Sequence, residues 1–208
     1  MAPKNTKTNS NSKHDDRELL PYTVEFTIRG VAPLMFHRYD PAEVRRKGDL
    51  PRGSAEKKED NPASMVWRDE ETDHLLLPAE YVRRSIVNAS KRMTDPSSRR
   101  KSAYDLFNAT VVALDYMADL GVTTWDSLDA RRAVVQMNAI TRIRPVLNKG
   151  WSATFRFMIM RPDLIPLDQF RRVLDEAGMM VGVGDFRPQY GRFVVDHFEV
   201  IPTPQEGA

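Results

Sequence analysis

Chemistry at a protein site needs a nucleophile, a base, metal ligands or a set of placed cations, and this sequence supplies the last of these best. Its four histidines stand at 14, 37, 74 and 197, with no two spaced four apart, so the helical two-histidine metal motif is absent. There is no cysteine, which excludes disulfides, thiolate nucleophiles and cysteine-held zinc. The chain lacks the G-x-S-x-G elbow of serine hydrolases and the G-x-x-x-x-G-K-[ST] phosphate loop. Carboxylates are plentiful but fall in two runs, and no pair stands out. The expectation is a protein without catalytic residues, without a metal and without a cofactor. His37, just past the first predicted strand, stands where a catalytic group could sit, against the plainer reading of a loop histidine that packs or hydrogen-bonds.

Two features can hold a ligand. The first is the glycine-punctuated stretch from 182 to 192, where Gly182, Gly184 and Gly191 stand with Arg187, Tyr190 and Arg192. A dinucleotide fingerprint must follow a strand and open a helix, and here a helix precedes and a strand follows, so that reading fails. The glycines either let backbone approach a ligand, with guanidinium and phenol groups beside it, or they permit tight turns before an inner strand. The second feature is cationic. Residues 131–161 carry seven Arg or Lys and no acid, and residues 81–104 carry seven against one Asp. Arg142, Arg144, Lys149 and Arg156 can line one strip with Trp151 at its tip, joined by Lys91, Arg92, Arg99 and Arg100. Phosphate neutralisation with base–aromatic stacking is how sequence-tolerant single-strand binders work. The plainer alternatives are a solvated sheet face, or pairing with the five Asp of residues 105–130.

The elements that must position these groups follow from periodicity. Tyr22, Val24, Phe26 and Ile28 alternate with Thr23, Glu25, Thr27 and Arg29, the period of a half-buried strand. Residues 38–73 hold 8 basic and 10 acidic side chains and read as a charged surface insertion. Leu75 to Leu77 form a short buried run. Pro78 then opens a helix with Val82, Ile86, Ala89 and Met93 on its apolar stripe, and the stretch 97–102 reads as a flexible basic loop. A short strand is expected at Val111 to Leu114 and a helical turn near Asp126. Val135, Met137, Ala139 and Ile143 fall on one face of a strand that turns at Asn148-Lys149-Gly150. It returns with Ala153, Phe155, Phe157 and Ile159 inward, so a basic hairpin is expected over 131–161. A second helix begins at Pro166, with Leu167, Phe170, Val173, Leu174 and Ala177 inward and Gly178 as its stop. A last strand runs from Phe193 to Ile201.

Strand, helix, strand, strand, helix, strand is the split βαβ order, an α+β ferredoxin-like, RRM-like sandwich. A single domain over 21–202 is expected, with a disordered tail at 1–20 and a short tail at 203–208. The chain has 208 residues, 41% of them hydrophobic, enough for one core, and a net charge of +2 that does not by itself advertise a polyanionic partner. No apolar run approaches the roughly 18 residues of a spanning helix, and no secretory signal opens the chain, so a cytoplasmic protein is expected.

Leu76-Leu77-Pro78-Ala79-Glu80-Tyr81-Val82-Arg83-Arg84-Ser85 resembles the segment that opens the first helix in RAMP-superfamily proteins, the RRM-like RNA-binding subunits of CRISPR effector complexes. Gly182, Gly184, Gly191 and Arg192 occupy the place of that superfamily's glycine-rich loop. The chain is also similar to a group of phage and prophage proteins sharing Gly30-Val31-Ala32-Pro33-Leu34-Met35-Phe36-His37 and Gly182-Val183-Gly184-Asp185-Phe186-Arg187-Pro188, which implies a host cytoplasm. The resemblance implies a thumb-like role for 38–73, RNA or DNA single strands as partner, and copies assembling head to tail along the strand; as an alternative it implies an endoribonuclease using His37, Asp40 or Asp49. The residues alone leave a second reading, an oligomerisation module in which the acidic stretch of one copy meets the basic hairpin of the next.

Overall fold

The computed structural model describes residues 20–51, 53–135 and 138–202, the side chains of 58 and 133–140 aside. The tails expected at 1–20 and 203–208 lie outside the described residues, except for Leu20, as does the stripe over 135–139. Strand β1 (Tyr22–Gly30) alternates as its sequence requires, with Val24, Phe26 and Ile28 fully buried. After β2 (Leu34–Met35) the charged insertion forms α1 (Pro41–Asp49), α2 (Ala55–Lys58) and β3 (Trp67–Arg68). Asp40 caps α1 by accepting the Ala42 N–H at 2.9 Å, and Pro41 takes the first helical position.

Strand β4 (Leu75–Pro78) feeds α3 (Ala79–Ala89), which buries Val82, Ile86 and Ala89. The helix ends at Ala89, and a 3-10 turn over Ser90–Arg92 carries Lys91 and Arg92. The basic stretch expected as a flexible loop is instead a hairpin of β5 (Thr94–Asp95) and β6 (Ser98–Ser102). Asp95 accepts the Ser97 N–H at 2.7 Å and closes its turn. Then come α4 (Tyr104–Thr110), β7 (Val111–Ala113) and β8 (Met117–Asp119). Asp126 sits in a bend, not a helical turn. It accepts the Asn148 N–H at 2.7 Å, so the chain enters a strand there instead of coiling.

The basic hairpin expected over 131–161 is drawn differently. β9 (Ser127–Val135) pairs with β10 (Asn138–Leu147), from Val135 opposite Asn138 to Ser127 opposite Val146. β10 gives its other edge to β2, whereas β11 (Ser152–Ile159) lies in another sheet, between β1 and β7. The turn at 148–150 joins two sheets. Alternation marks a strand but not its neighbour, and the apolar faces of β10 and β11 serve different layers. Trp151 is drawn inward at that crossing and is 6% exposed, so it offers no tip for stacking. Its indole N–H donates to the Ala32 carbonyl at 2.9 Å, and its ring lies on Gly30, where a Cβ would come within 2.0 Å of Nε1.

Helix α5 (Leu167–Glu176) buries Phe170, Val173 and Leu174 and runs through a π-helical turn, Ala177–Val181. Gly178 therefore does not stop it. A Cβ there would lie 2.3 Å from the Phe193 carbonyl, so the residue lets the turn rest on β12 (Phe193–Ile201). The main sheet has the order β12-β1-β11-β7, every pair antiparallel. With α3 and α5 on one face, this is the expected split βαβ sandwich. Phe26 stacks on Phe157 at 5.3 Å, and Phe155, Phe170 and Phe193 are fully buried with them. Each such ring contributes about 1.5–3 kcal/mol by leaving water.

Candidate nucleic-acid interface

Helix α3 presents a polar face opposite its buried stripe, with Glu80, Arg84 and Asn88 one turn apart. Three clefts follow that face. The central one, about 290 Å³, is lined by His37, Glu80, Tyr81, Arg84, Gly184, Asp185 and Arg187. A second, about 490 Å³, shares Gly184, Asp185 and Arg187 with it and adds Asn88, Met180, Val181, Phe186 and Pro188. A third, about 310 Å³, shares Glu80 and adds Arg83, Asp115 and Tyr116, whose ring is 92% exposed. Together they form one groove along a helix of 11 residues, about 16 Å at 1.5 Å per residue.

The glycine loop makes one wall because it is stitched to the segment after β1. Gly191 N–H donates to Pro33 at 2.7 Å, Asp185 N–H to Met35 at 2.9 Å, and the Val31 N–H to Arg192 at 2.9 Å. This requires glycine. Gly191 has φ +73°, and a Cβ there would lie 1.7 Å from the Val183 carbonyl; one on Gly184 would lie 2.7 Å from the Met35 carbonyl. The close approach that the glycines permit is therefore to the chain's own backbone, the tight-turn alternative, and what the loop offers the groove is side chains.

Charge in the groove is mixed. Arg84 Nε donates to Glu80 at 3.1 Å, and Arg144 Nη1 from β10 lies 2.6 Å from Asp185 Oδ2. Arg187 is exposed and makes no ion pair among the described residues. His37 Nδ1 stands 3.8 Å from Asp185 Oδ2. The His37 side chain is 54% exposed, yet partial burial holds its pKa below the usual value and nearby Arg144 lowers it further. Arg144 Nε and Asp185 Oδ2 are both buried without a hydrogen-bond partner among the described residues.

Of the cations singled out in sequence, Arg187 lines the groove and Arg144 backs it through Asp185. Arg142 instead holds the buried Asp60 at 2.9 Å, and Arg156 grips Asp115 through both carboxylate oxygens. Lys91 lies over the Tyr104 ring at 4.8 Å; Arg92, Arg99, Arg100, Lys149 and Arg192 are exposed. Tyr190 is engaged: its hydroxyl donates to Asp129 at 2.9 Å and accepts from Arg131 at 2.6 Å. Burial and the Asp129 hydrogen bond raise its pKa. Gly182 is buried. Asp40 is committed to its cap and Asp49 is exposed at the end of α1. Among the described residues no group of three or more His, Asp or Glu could hold a metal ion, and no helix is long and apolar enough to cross a membrane.

Sequence reasoning missed Asn88 and Phe186, and placed Glu80, Tyr81 and Arg84 without a role. The signal was the four-residue spacing of Glu80, Arg84 and Asn88, visible once the opposite stripe is assigned to the core. The open face of the main sheet holds Glu25, Thr27, Thr154, Arg156, His197 and Glu199, without an aromatic ring among them. Base stacking on the sheet, as in RRM domains, has no counterpart there.

No family model matches this chain, and no curated protein matches it. Among solved structures it is similar to a chain of the cryo-EM structure of the Type III-B Cmr-beta bound to cognate target RNA. The TM-score is 0.52 at 12% identity, covering 91% of this chain and 63% of that one. The two share the ferredoxin-like fold. This chain spans less than two thirds of the length of the one it matches, and the likeness is one of fold.

Proposed function

We propose that this protein binds single-stranded nucleic acid in the groove along α3, with Arg84 and Arg187 on its phosphates and copies assembling head to tail along the strand. The observation that carries the reading is the meeting of two elements 103 residues apart in sequence, the helix-opening segment at Arg84 and the glycine loop at Arg187, in one cleft. Support also comes from the RAMP-type fold, matched in a structure that contains RNA. Lys91, Arg92, Arg99, Arg100, Lys149 and Arg192 extend the cationic surface as longer-range contacts. The competing reading, complementary charged faces between copies, loses its charges inside the chain, because Arg156 pairs with Asp115 and Arg131 with Asp129.

The test is fluorescence anisotropy with labelled single-stranded RNA and DNA across a salt series. Affinity is expected to fall steeply as salt rises, because bound cations are released when arginines replace them. Absence of binding at low salt overturns the proposal. Light scattering with and without strand checks assembly, which is expected only when the strand is present.

A further inference from the structure

The cleft beyond Arg187 differs from the rest of the groove. It is the most polar and most open of the clefts, with Asn88, Asp185 and Arg187 beside Met180, Val181 and Pro188, and Phe186 is 47% exposed there. Phe186 also has φ +57°, a conformation that costs a bulky residue and is kept only where the surroundings impose it. The guanidinium of Arg131 lies over its ring at 4.4 Å, and Tyr190 meets it edge-on at 6.0 Å. The ring is thus held from the hairpin side while it lines the cleft. Asn88 contributes an amide with no side-chain partner among the described residues.

An exposed aromatic ring, one free amide and an adjoining arginine are what an unpaired nucleobase requires: a surface to stack on, a donor and acceptor for its edge, and a cation for its phosphate. At about 490 Å³ the cleft is open to solvent, with room for a base to enter from outside. We infer that this cleft takes one base of the bound strand, stacked on Phe186 with its edge read by Asn88, while Arg187 holds the phosphate at the boundary with the central cleft. The inference rests on the strand-binding reading and adds to it a base-contacting site that the sequence did not single out.

The experiment compares wild type, Phe186→Ala, Phe186→Trp and Asn88→Ala by anisotropy, using oligo(A) and oligo(U) RNA and the same phosphate backbone with abasic riboses. Phe186→Ala is expected to weaken intact strands about tenfold and to leave the abasic strand and the salt slope unchanged, with Phe186→Trp restoring affinity. Asn88→Ala is expected to change the ratio of oligo(A) to oligo(U) affinity by severalfold at constant salt slope. Equal losses on intact and abasic strands, or no loss on either, overturn the base pocket while strand binding stands. Failure of the wild type to bind any strand overturns the functional reading first, and the pocket with it.

Discussion

Arg144 Nη1 lies 2.6 Å from Asp185 Oδ2, so the cation that β10 sends toward the groove is answered by a carboxylate from the glycine loop. Asp185 lines the central cleft, where a strand's phosphates would meet it. Asp185→Asn removes that repulsion and releases the guanidinium. Strand affinity is expected to rise about three- to tenfold with a steeper salt dependence, read by anisotropy. The same change leaves a half-buried arginine without its ion partner, so thermal stability is expected to fall by about 1–3 kcal/mol.

Arg187 and Arg29 make a paired control. Arg187→Ala is expected to weaken binding and lower the salt slope by about one. Arg29 is spent on Asp196, on the open face of the sheet. Arg29→Ala is expected to leave binding unchanged and to alter stability little, as for an exposed surface pair. Equal effects of the two on the salt slope would remove the groove from consideration.

The buried carboxylate of Asp60 is expected to be the acid-sensitive joint of the insertion. Its side chain is 1% exposed and accepts from Lys47 of α1, from Arg142 and from the Ile143 N–H of β10. Burial pushes its pKa up, but the Ile143, Lys47 and Arg142 partners outweigh that and hold it below the usual carboxylate range. Because the folded pKa is depressed, the stabilisation is complete above the ordinary value and is lost as pH falls through the lowered one. Asp60→Ala is expected to cost about 1–3 kcal/mol near neutral pH and to flatten the acid limb of the stability profile, measured by denaturant unfolding.

His37 runs in the same sense from a different cause. Burial and Arg144 disfavour its imidazolium, so the unfolded chain takes up the proton first as pH drops below about 6.5. Its contribution to stability is full above that value and declines slightly below it, because solvent screens a side chain that is more than half exposed. Once His37 does charge, it adds a cation to the central cleft, so strand affinity is expected to rise at acid pH. His37→Gln is expected to abolish both trends, as followed by melts and anisotropy from pH 7.5 to about 5.

Most of the architecture was legible from residue order because alternation and helical stripes report local burial, as at Phe26 and at Val82 with Ile86. The hairpin was not. The period of two over 139–147 and 153–159 identifies two strands, and a real turn joins them, yet the partners that hold them in different sheets are 111 and 135 residues away, at Met35 opposite Val146 and at Thr23 opposite Met158. Trp151 looked like an exposed tip because nothing local reveals that Gly30 leaves room for its ring. The cations were legible as residues but not as free or spent, since their partners Asp60, Asp115 and Asp185 stand 41 to 82 residues away. The carboxylates read as surface charge were the missing half of the site.

The stitching of residues 183–192 to residues 31–35 fixes when the groove's cost is met. Because these backbone bonds close during folding, an arriving polymer finds the wall already set and gives up only its own freedom. Hydrogen–deuterium exchange at Val183, Asp185 and Gly191 should therefore be slow in the free protein and change little on complex formation, with protection gained at the outward side chains' neighbours instead. Encounter kinetics should likewise be single-phase, without a slow closing step.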